Sequence, residues 1–457
     1  MKPETDQRLS DHVALGVLTR SFPPSLVDEV VAALGKSEQR QRLLPARLVV
    51  YYVLAMALFS ESSYEEVMRN LVEGLAWESG WAKRWEVPSK SAIFQARARL
   101  GAEPLESLFA RVCVPLAIAE TPGGFYRRWR LVSIDGTTLD VADTAENAKE
   151  FGRPGTGRGD GEGAFPQVRL VALAECGTHA LFAAALGSYG TSESALARRL
   201  VGRATKGMLV LADRGFTNHP LFSAFASSGA DLLWRAKENA VLPVLRRHPD
   251  GSFRSELVAS TDKTKRAEVL PVRVVEYALD PAPSGARERY RLITTIADPK
   301  AAPAPELAGL YPQRWEFETA LDELKTHERG PRVVLRSKTP DGVRQEAWGY
   351  LCSHYAIRAL MTTVADEGGI DPDRVSFTRS LRAARRSVRA GVGTSTKAVR
   401  SELAAAVAEI GHELLPERRL RIAARVVKRK MSNYGVKRDE HRGWAPPTPS
   451  SVRILGA

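Results

Sequence analysis

The sequence contains 457 residues, and its 66 Lys and Arg against 53 Asp and Glu give a net charge of +13 at neutral pH. Hydrophobic residues make up 44% and charged residues 26%, which is ordinary for folded domains and excludes global disorder. The longest apolar run, residues 48–59, is too short to cross a bilayer, and the first residues lack the apolar core of a secretory signal. The three cysteines are far apart, which excludes a cysteine-built zinc site and fits a reducing compartment. We therefore expect a cytoplasmic protein with no membrane association.

The positive charge is concentrated near the C-terminus. Residues 371–457 contain 19 Lys and Arg against 8 Asp and Glu, so this segment carries +11 of the total. A local excess of this size attracts polyanions such as nucleic acids. A solvated helical surface would have the same composition, so charge alone leaves both interpretations open.

The first 120 residues carry a helical pattern. Apolar residues recur at three- and four-residue spacing in residues 27–34, 47–59 and 64–75. A further helix is predicted from a Ser89 cap to Gly101, with three polar side chains exposed: Gln95, Arg97 and Arg99. In a helix-turn-helix these side chains could reach base edges or phosphates, although a plain solvated helix has the same spacing.

The pattern changes from Trp129 onward. Apolar runs and helical segments alternate in the order three strands, helix, strand, helix, strand, which predicts a mixed α/β sheet with helical covering. Residues 240–297 alternate apolar and polar positions between Pro and Gly turns, which predicts a β insertion. Helices resume at Pro312 and continue through the basic C-terminal region.

Two carboxylates follow predicted strands: Asp135 in SIDGTT and Asp213 in LADRGF. Ligands of open α/β sheets collect at the carboxyl ends of strands, so both aspartates are candidate site residues. Either one alone could equally be a turn or cap residue.

A third carboxylate lies on the segment YPQRWEFETALDELK. At 100° per residue, four polar side chains fall within about 60° on one face of this helix. They are Tyr311, Arg314, Glu318 and Lys325. Glu316 and Glu323 fall on the other side, whereas Asp322 lies near enough to be a supporting acid.

This polar face has two interpretations. An exposed Arg314–Glu318 ion pair would contribute only a few tenths of a kcal/mol to helix stability. Alternatively, Glu318 completes a set of three carboxylates with the two aspartates, which could hold two divalent cations. Hard oxygen ligands favour Mg²⁺ or Mn²⁺. The basic side chains on the same face, Arg314 and Lys325, would then bind phosphate oxygens together with the Tyr311 hydroxyl.

The combination of IDGT, ADRGF and Y-x₂-R-x₃-E-x₆-K resembles the DDE transposases of the insertion-sequence-four type, in the subgroup with a Tyr-Arg-Glu-Lys signature. The resemblance extends over most of residues 12–330 and implies a ribonuclease-H-like mixed sheet with a β-strand insertion. A helical N-terminal domain would precede this sheet, and a basic helical region would follow it. The implied segments are 1–120 for DNA binding, 121–239 and 298–365 for the two parts of the catalytic domain, 240–297 for the insertion, and 366–457 for the C-terminal region.

The resemblance also implies an activity. Members bind the terminal inverted repeats of their own element as double-stranded DNA, pair two ends in a homodimer and excise by cut-and-paste through a hairpin intermediate. Asp135, Asp213 and Glu318 would be catalytic and would hold two Mg²⁺, which Mn²⁺ could replace. Residues Tyr311, Arg314 and Lys325 would bind DNA phosphates.

A flipped terminal base is expected to stack on an aromatic side chain. Tyr290 is the candidate, with Trp234 and Trp315 as rivals that are also compatible with plain packing.

The C-terminal charge includes arginines at three- and four-residue spacing, which share one helix face and could contact phosphates. These are Arg382, Arg385, Arg386 and Arg389. A second cluster comprises Arg425 and residues 428–430.

Two alternatives to a transposase remain: a catalytically silent DNA-binding regulator, and a metal-dependent nuclease of the same fold that never joins strands.

Overall fold

The computed structural model describes residues 15–38, 40, 43–78, 87–155, 163–259, 269–279, 289–330, 333–389, 396–417, 426–427, 435–436 and 452–455. The predicted basic cluster of Arg425 and residues 428–430 lies outside these ranges. In the described part of the chain, no helix combines the length and the apolar character needed to cross a membrane.

The N-terminal helices begin and end where the sequence signals indicate. They are α1 (Pro24–Ala33), α2 (Ala46–Leu58), α3 (Tyr64–Glu78), α4 (Lys90–Leu100) and α5 (Glu103–Val112). Ser89 caps α4 by accepting a hydrogen bond from the Ala92 N–H at 3.3 Å. The helix ends at Gly101, whose φ of +76° is a left-handed conformation that glycine adopts without strain. Every residue of α2 from 48 to 58 is buried, as expected of a helix that is apolar on all sides.

The central sheet follows the predicted order of elements with two additions, a two-residue strand before Trp129 and a helix between the first two predicted strands. Its first strands are β1 (Phe125–Tyr126), β2 (Trp129–Asp140), β3 (Gln167–Glu175), β4 (Leu181–Ser188), β5 (Met208–Ala212) and β6 (Asp231–Arg235), with α6 (Ala145–Phe151), α7 (Glu193–Arg198) and α8 (His219–Ser227) between them. In space the order is β4-β3-β2-β5-β6. β2, β3 and β4 pair antiparallel, whereas β5 and β6 join β2 in parallel. This confirms the predicted ribonuclease-H-like mixed sheet.

The predicted β insertion forms strands that continue this same sheet. They are β7 (Arg246–Arg247), β8 (Phe253–Val258), β9 (Val269–Leu279) and β10 (Arg289–Thr294). β10 pairs antiparallel with β6, and β9, β8 and β7 follow outward in that order. The insertion therefore widens the sheet at its β6 edge.

The C-terminal helices pack against the N-terminal ones. The remaining elements are α9 (Ala304–Leu310), α10 (Glu316–Asp322), α11 (Pro340–Gly368), α12 (Phe377–Arg389), α13 (Thr396–Gly411), the short parallel pair β11 (Val426–Val427) and β12 (Gly435–Val436), and β13 (Val452–Ile454). α11 contacts α2 and α5, and one hydrophobic core extends from Leu15 to Ile410. β13 pairs with β9, so the C-terminal region is helical only in part and returns to the central sheet.

The expected exposure of Arg97 is wrong. Its side chain is 7% exposed and binds the start of α11: Nε donates to Gln345 Oε1 at 2.7 Å, and Nη2 donates to Ser337 Oγ at 2.9 Å. Gln95 and Arg99 are exposed as predicted. Arg97 is on the same face of the helix as the buried Ile93, Ala96 and Leu100, and α11 packs against this face.

We predict that Arg97→Ala destabilises the protein by about 2–4 kcal/mol, because it leaves buried hydrogen-bond partners unsatisfied. Chemical denaturation followed by circular dichroism measures this change. Arg99→Ala, at an exposed position of the same helix, is the matched control and should stay within about 0.5 kcal/mol of wild type. Equal effects of the two substitutions would contradict the structural role of Arg97.

Candidate active site

The two aspartates meet because of the register between β2 and β5. Ile134 of β2 pairs in parallel with Ala212, the last residue of β5. Asp135 and Asp213 are the next residues on the two neighbouring strands, so they lie side by side. Asp213 directly follows β5 as predicted, whereas Asp135 lies inside β2 and still pairs with Ala172 of β3. Asp213 is fixed by the Gly215 N–H, which donates to Oδ1 at 2.7 Å.

Asp135 carries a strongly perturbed carboxyl group. Its pKa is raised to about 7, mainly by burial and also by the charges of Asp213 and Glu193. The Arg314 guanidinium and the Gly136 N–H, which donates to Oδ1 at 2.8 Å, act in the opposite direction. Burial therefore outweighs the opposing effect of Arg314 on this pKa.

The segment that carries Glu318 is not one regular α-helix. Residues 311–315 form a 3₁₀ turn, Glu316–Asp322 form α10, and Glu323–Glu328 form a π-helical turn. The 3.6-residue period used to predict a common polar face therefore holds only within α10. Side-chain packing from both sides, and not helical periodicity, sets the orientation of this segment.

Arg314 bonds to one of the three acids and is influenced by the charges of the other two. Its Nη1 donates to Asp135 Oδ2 at 3.3 Å. Burial would lower the pKa of this arginine, but the Tyr311 phenol and the charges of Asp135, Asp213 and Glu318 raise it above its ordinary value. The charges of all three predicted acids therefore act on the Arg314 guanidinium, which supports placing them near one another.

The other signature residues reach the same edge of the sheet. Lys325 Nζ donates to Thr137 Oγ1 of β2 at 2.9 Å, and burial lowers the pKa of this lysine. The Tyr311 hydroxyl donates to the Ala212 carbonyl at 3.2 Å, and burial raises its pKa to about 12. The structure therefore brings the side chains of Tyr311, Arg314 and Lys325 to β2 and the end of β5. All three form hydrogen bonds with protein atoms there.

Buried ion pairs hold the side of this segment that faces away from Glu318. Helical periodicity in the sequence placed Glu316 and Glu323 on that side. His179, in the turn between β3 and β4, lies 2.8 Å from Glu316 Oε2 through Nε2. Arg358 of α11 lies 3.0 Å from Glu323 Oε2 through Nε. These contacts attach the segment to both the sheet and α11.

A buried cluster near the Glu318 segment combines histidine and carboxylate side chains. His179, Glu316 and Asp373 have candidate ligand atoms within 4.8 Å of one another. The Arg358 guanidinium contacts His179 Nδ1, so a positively charged group already lies against this cluster. Ion pairing with Arg358 and His179 therefore accounts for these buried acids.

Other predicted residues occupy a range of environments. Asp322 is exposed and accepts a hydrogen bond from Thr326 Oγ1 at 2.8 Å, away from the aspartates. The Tyr290 ring stacks on Tyr277 at 5.0 Å, and the Arg235 guanidinium lies 4.5 Å from its centroid. Trp234 is fully buried in the core, whereas Trp315 is half-buried and lies 4.1 Å from the Arg314 guanidinium.

The predicted arginine face of α12 is partly used for packing. Arg385 donates to the Leu58 carbonyl of α2, and Arg389 donates to Asn70 Oδ1 at 3.0 Å. Arg386 is exposed and forms an ion pair with Glu409. Arg382 is exposed.

Sequence reasoning missed a fourth acid at this edge. Glu193, the first residue of α7, is half-buried, and its charge acts on Asp135. In the sequence it follows Ser192 as an ordinary acid in the first turn of a capped helix, a position that acids favour everywhere. No local signal therefore marked it.

Comparison with known proteins supports the same class of protein. The model of the insertion element 4 transposase N-terminal region matches residues 12–110, and that of the transposase DDE domain matches residues 129–355. The chain is 30% identical over 415 residues to transposase InsG for insertion sequence element IS4 of Escherichia coli (strain K12), covering 90% of this chain and 91% of the relative. A cryo-EM structure of the piggyBac transposase synaptic complex with hairpin DNA is similar at a TM-score of 0.43 and 12% identity, over 88% of this chain and 85% of that one.

The match to the DDE domain extends from β2 through the segment that carries Glu318, which defines the class as a transposase with a DDE domain. Since the identity with the IS4 relative spans nearly all of both chains, the chain belongs to the IS4 family of transposases. The predicted family is confirmed, whereas the Tyr-Arg-Glu-Lys subgroup stays a prediction.

We predict that Asp135→Asn raises the metal-free melting temperature at pH 8 by about 2 °C. The pKa of this carboxyl is raised in the folded protein, so its stabilising contribution is present below about pH 4 and is lost as the pH rises to about 7. The advantage of the Asn variant should therefore shrink at pH 5. Thermal unfolding in chelator at both pH values measures it, with Asp322→Asn as the exposed control. A variant less stable than wild type at pH 8 would contradict the raised pKa.

We further predict that Glu316→Gln lowers the free energy of unfolding by about 2–4 kcal/mol, because it removes one partner of a buried ion pair. Glu318→Gln, two positions along the same helix, should change it by less than about 1 kcal/mol. Urea denaturation of both variants tests the difference. Equal losses would mean that Glu316 does not hold the segment in place.

Proposed function

We propose that this protein cleaves and rejoins DNA at the ends of an insertion sequence, by cut-and-paste. Family membership supports double-stranded DNA as the substrate. The observation that supports the proposed chemistry is the Arg314 guanidinium, which bonds to Asp135 and is influenced by the charges of Asp213 and Glu318. Three carboxylates at the open edge of a sheet are the arrangement that metal-assisted phosphoryl transfer requires.

Asp135, Asp213 and Glu318 would hold two Mg²⁺, with Mn²⁺ as a substitute. The donor set fits, because its ligands are carboxylate oxygens, which Mg²⁺ and Mn²⁺ prefer. The charges of Asp213 and Glu193 also act on Asp135, in addition to burial, so several acids lie near it. When bound, the cations would activate the attacking oxygen and stabilise the leaving oxygen of the phosphodiester.

The signature residues would bind the DNA backbone at this edge. Lys325, held beside Asp135 by Thr137, carries an ammonium group for a phosphate oxygen. Arg314 Nε is buried and has no hydrogen-bond partner among the described residues, so it retains a donor. Tyr311 would bind phosphate only by exchanging its present bond to the Ala212 carbonyl.

The proposed reaction has four steps. Water attacks the phosphodiester at the transposon end, and the P–O bond to the 3′ oxygen breaks. The freed 3′-OH attacks the opposite strand, which forms a hairpin and releases the flanking DNA. A second water reopens the hairpin, and the 3′-OH then attacks target DNA. A base flipped during hairpin formation would stack on Tyr290, in competition with Tyr277 and Arg235.

The surface that holds DNA would lie on the helical part of the protein. Gln95 and Arg99 are exposed on α4 and available for groove or phosphate contacts. On α12, Arg386 is exposed next to Arg385 and Arg389, so DNA would compete with Glu409 for this arginine. We infer a homodimer in the DNA-bound complex and a location in the bacterial cytoplasm, at the nucleoid when DNA is bound.

Substitution of each acid tests the proposal. Asp135→Ala, Asp213→Ala and Glu318→Ala should each lower Mg²⁺-dependent cleavage of terminal-repeat DNA by at least about 10³-fold. DNA binding, measured by gel shift at fixed salt, should stay within a few fold of wild type. Asp322→Ala, which removes an exposed acid from the same segment, is the matched control and should cleave normally.

The products of the wild-type reaction separate this proposal from its alternatives. Hairpins and strand-transfer products are expected. Hydrolysis without either product would indicate a nuclease, and binding without cleavage in Mg²⁺ or Mn²⁺ would indicate a silent regulator. Cleavage by Glu318→Ala at the wild-type rate would remove this residue from the catalytic set.

A further inference from the structure

Glu193 brings a fourth carboxylate to the edge of the sheet where the three acids lie. It begins α7, directly after Ser192, whose hydroxyl caps the helix by accepting from the Ala195 N–H at 3.2 Å. α7 packs on β3 and β4. Glu193 therefore reaches the site from a different element than Asp135, Asp213 or Glu318.

The carboxylate of Glu193 lies directly against the backbone that follows Asp135. A Cβ atom placed on Gly136 would come within 2.8 Å of Glu193 Oε1 and 2.9 Å of its Cδ. Only glycine leaves this space, because any larger side chain would occupy the position of the carboxylate. Gly136 has no left-handed φ that would otherwise call for glycine, so the close approach of Glu193 accounts for it.

The electrostatic surroundings of Glu193 join it to the site. Burial and the charge of Asp213 raise its pKa, whereas the Arg169 guanidinium opposes them. Arg169 is itself held by its bond to the Thr191 carbonyl at 3.0 Å and by the Tyr189 ring, 5.1 Å away. Glu193 is thus influenced by the charges of Arg169 and Asp213, and its own charge acts on Asp135.

An ordinary acid in the first turn of a helix faces solvent, where it interacts favourably with the helix dipole. Glu193 instead turns toward two like charges, an arrangement that costs free energy in the absence of a cation. A divalent ion would convert this repulsion into attraction for all the acids at once.

We propose that Glu193 is a fourth acidic ligand of the divalent-cation site and binds through water of the hydration shell of the cation. Mg²⁺ retains several of its waters when proteins bind it, so a carboxylate one water away contributes affinity and orientation. This inference rests on the metal-dependent function proposed above.

Mn²⁺ binding by the full-length, metal-free protein tests the inference without any catalytic readout. Electron paramagnetic resonance titration of free Mn²⁺ gives affinity and stoichiometry. Glu193→Gln should weaken Mn²⁺ binding by about 10-fold or more. Gly136→Ala should cause a similar loss by displacing the carboxylate, and the double variant should lose little more than either single one. Gly202→Ala, where an added Cβ meets nothing within 4 Å, is the matched control.

The outcomes distinguish this inference from the function on which it rests. If Glu193→Gln binds Mn²⁺ like wild type while Asp135→Asn does not, Glu193 is no ligand and the metal-dependent function stands. If wild-type protein binds no Mn²⁺ at millimolar concentration, both proposals fail. Thermal unfolding of each variant checks folding, and Glu193→Asp, which keeps a carboxylate, should recover part of the affinity if Glu193→Gln proves unstable.

Discussion

Asp135 and Asp213 lie side by side because β2 and β5 are parallel neighbours, and the rest of the site is arranged around that pair. Two carboxylates held at one sheet edge repel each other, and burial strengthens the repulsion because little water is present to screen it. Arg314 relieves part of it through its bond to Asp135, yet the pKa of that carboxyl remains near 7. Burial and the neighbouring charge of Asp213 together keep this carboxyl far from its ordinary pKa.

The segment that carries Glu318 has to be positioned accurately against the two aspartates. Contacts on the opposite side of this segment hold it in place. Glu316 and Glu323 are buried, and they bind His179 and Arg358. His179 belongs to the turn between β3 and β4, so the sheet that positions the aspartates also anchors the back of the helix. The change from 3₁₀ to α to π geometry along this segment accommodates contacts on both sides. Tertiary packing therefore distorts the regular helix geometry, as is common near functional sites.

Charge composition predicts where a polyanion can bind, but not which arginines are available to it. Arg97 and Arg385 were both attractive candidates by spacing, and both donate hydrogen bonds that attach one helix to another. The helices before the sheet and after it share one hydrophobic core, so their basic residues serve packing as well as electrostatics. Gln95, Arg99 and Arg386, by contrast, are exposed. Part of the positive charge of the chain therefore has a structural role.

Local signals in the sequence determined the order of strands and helices, the cap of α4 and the opposite orientation of Glu318 and Glu316, since each depends on residues a few positions apart. The family motif added the set of three acids. Only the tertiary structure decided that β13 returns to the sheet, that Arg97 is covered, and that Glu193 lies against Gly136. These features arise from contacts between segments distant in the chain, and from the cost of bringing like charges together in a buried place. Neither long-range contacts nor the repulsion of buried like charges produces a periodic pattern in the sequence.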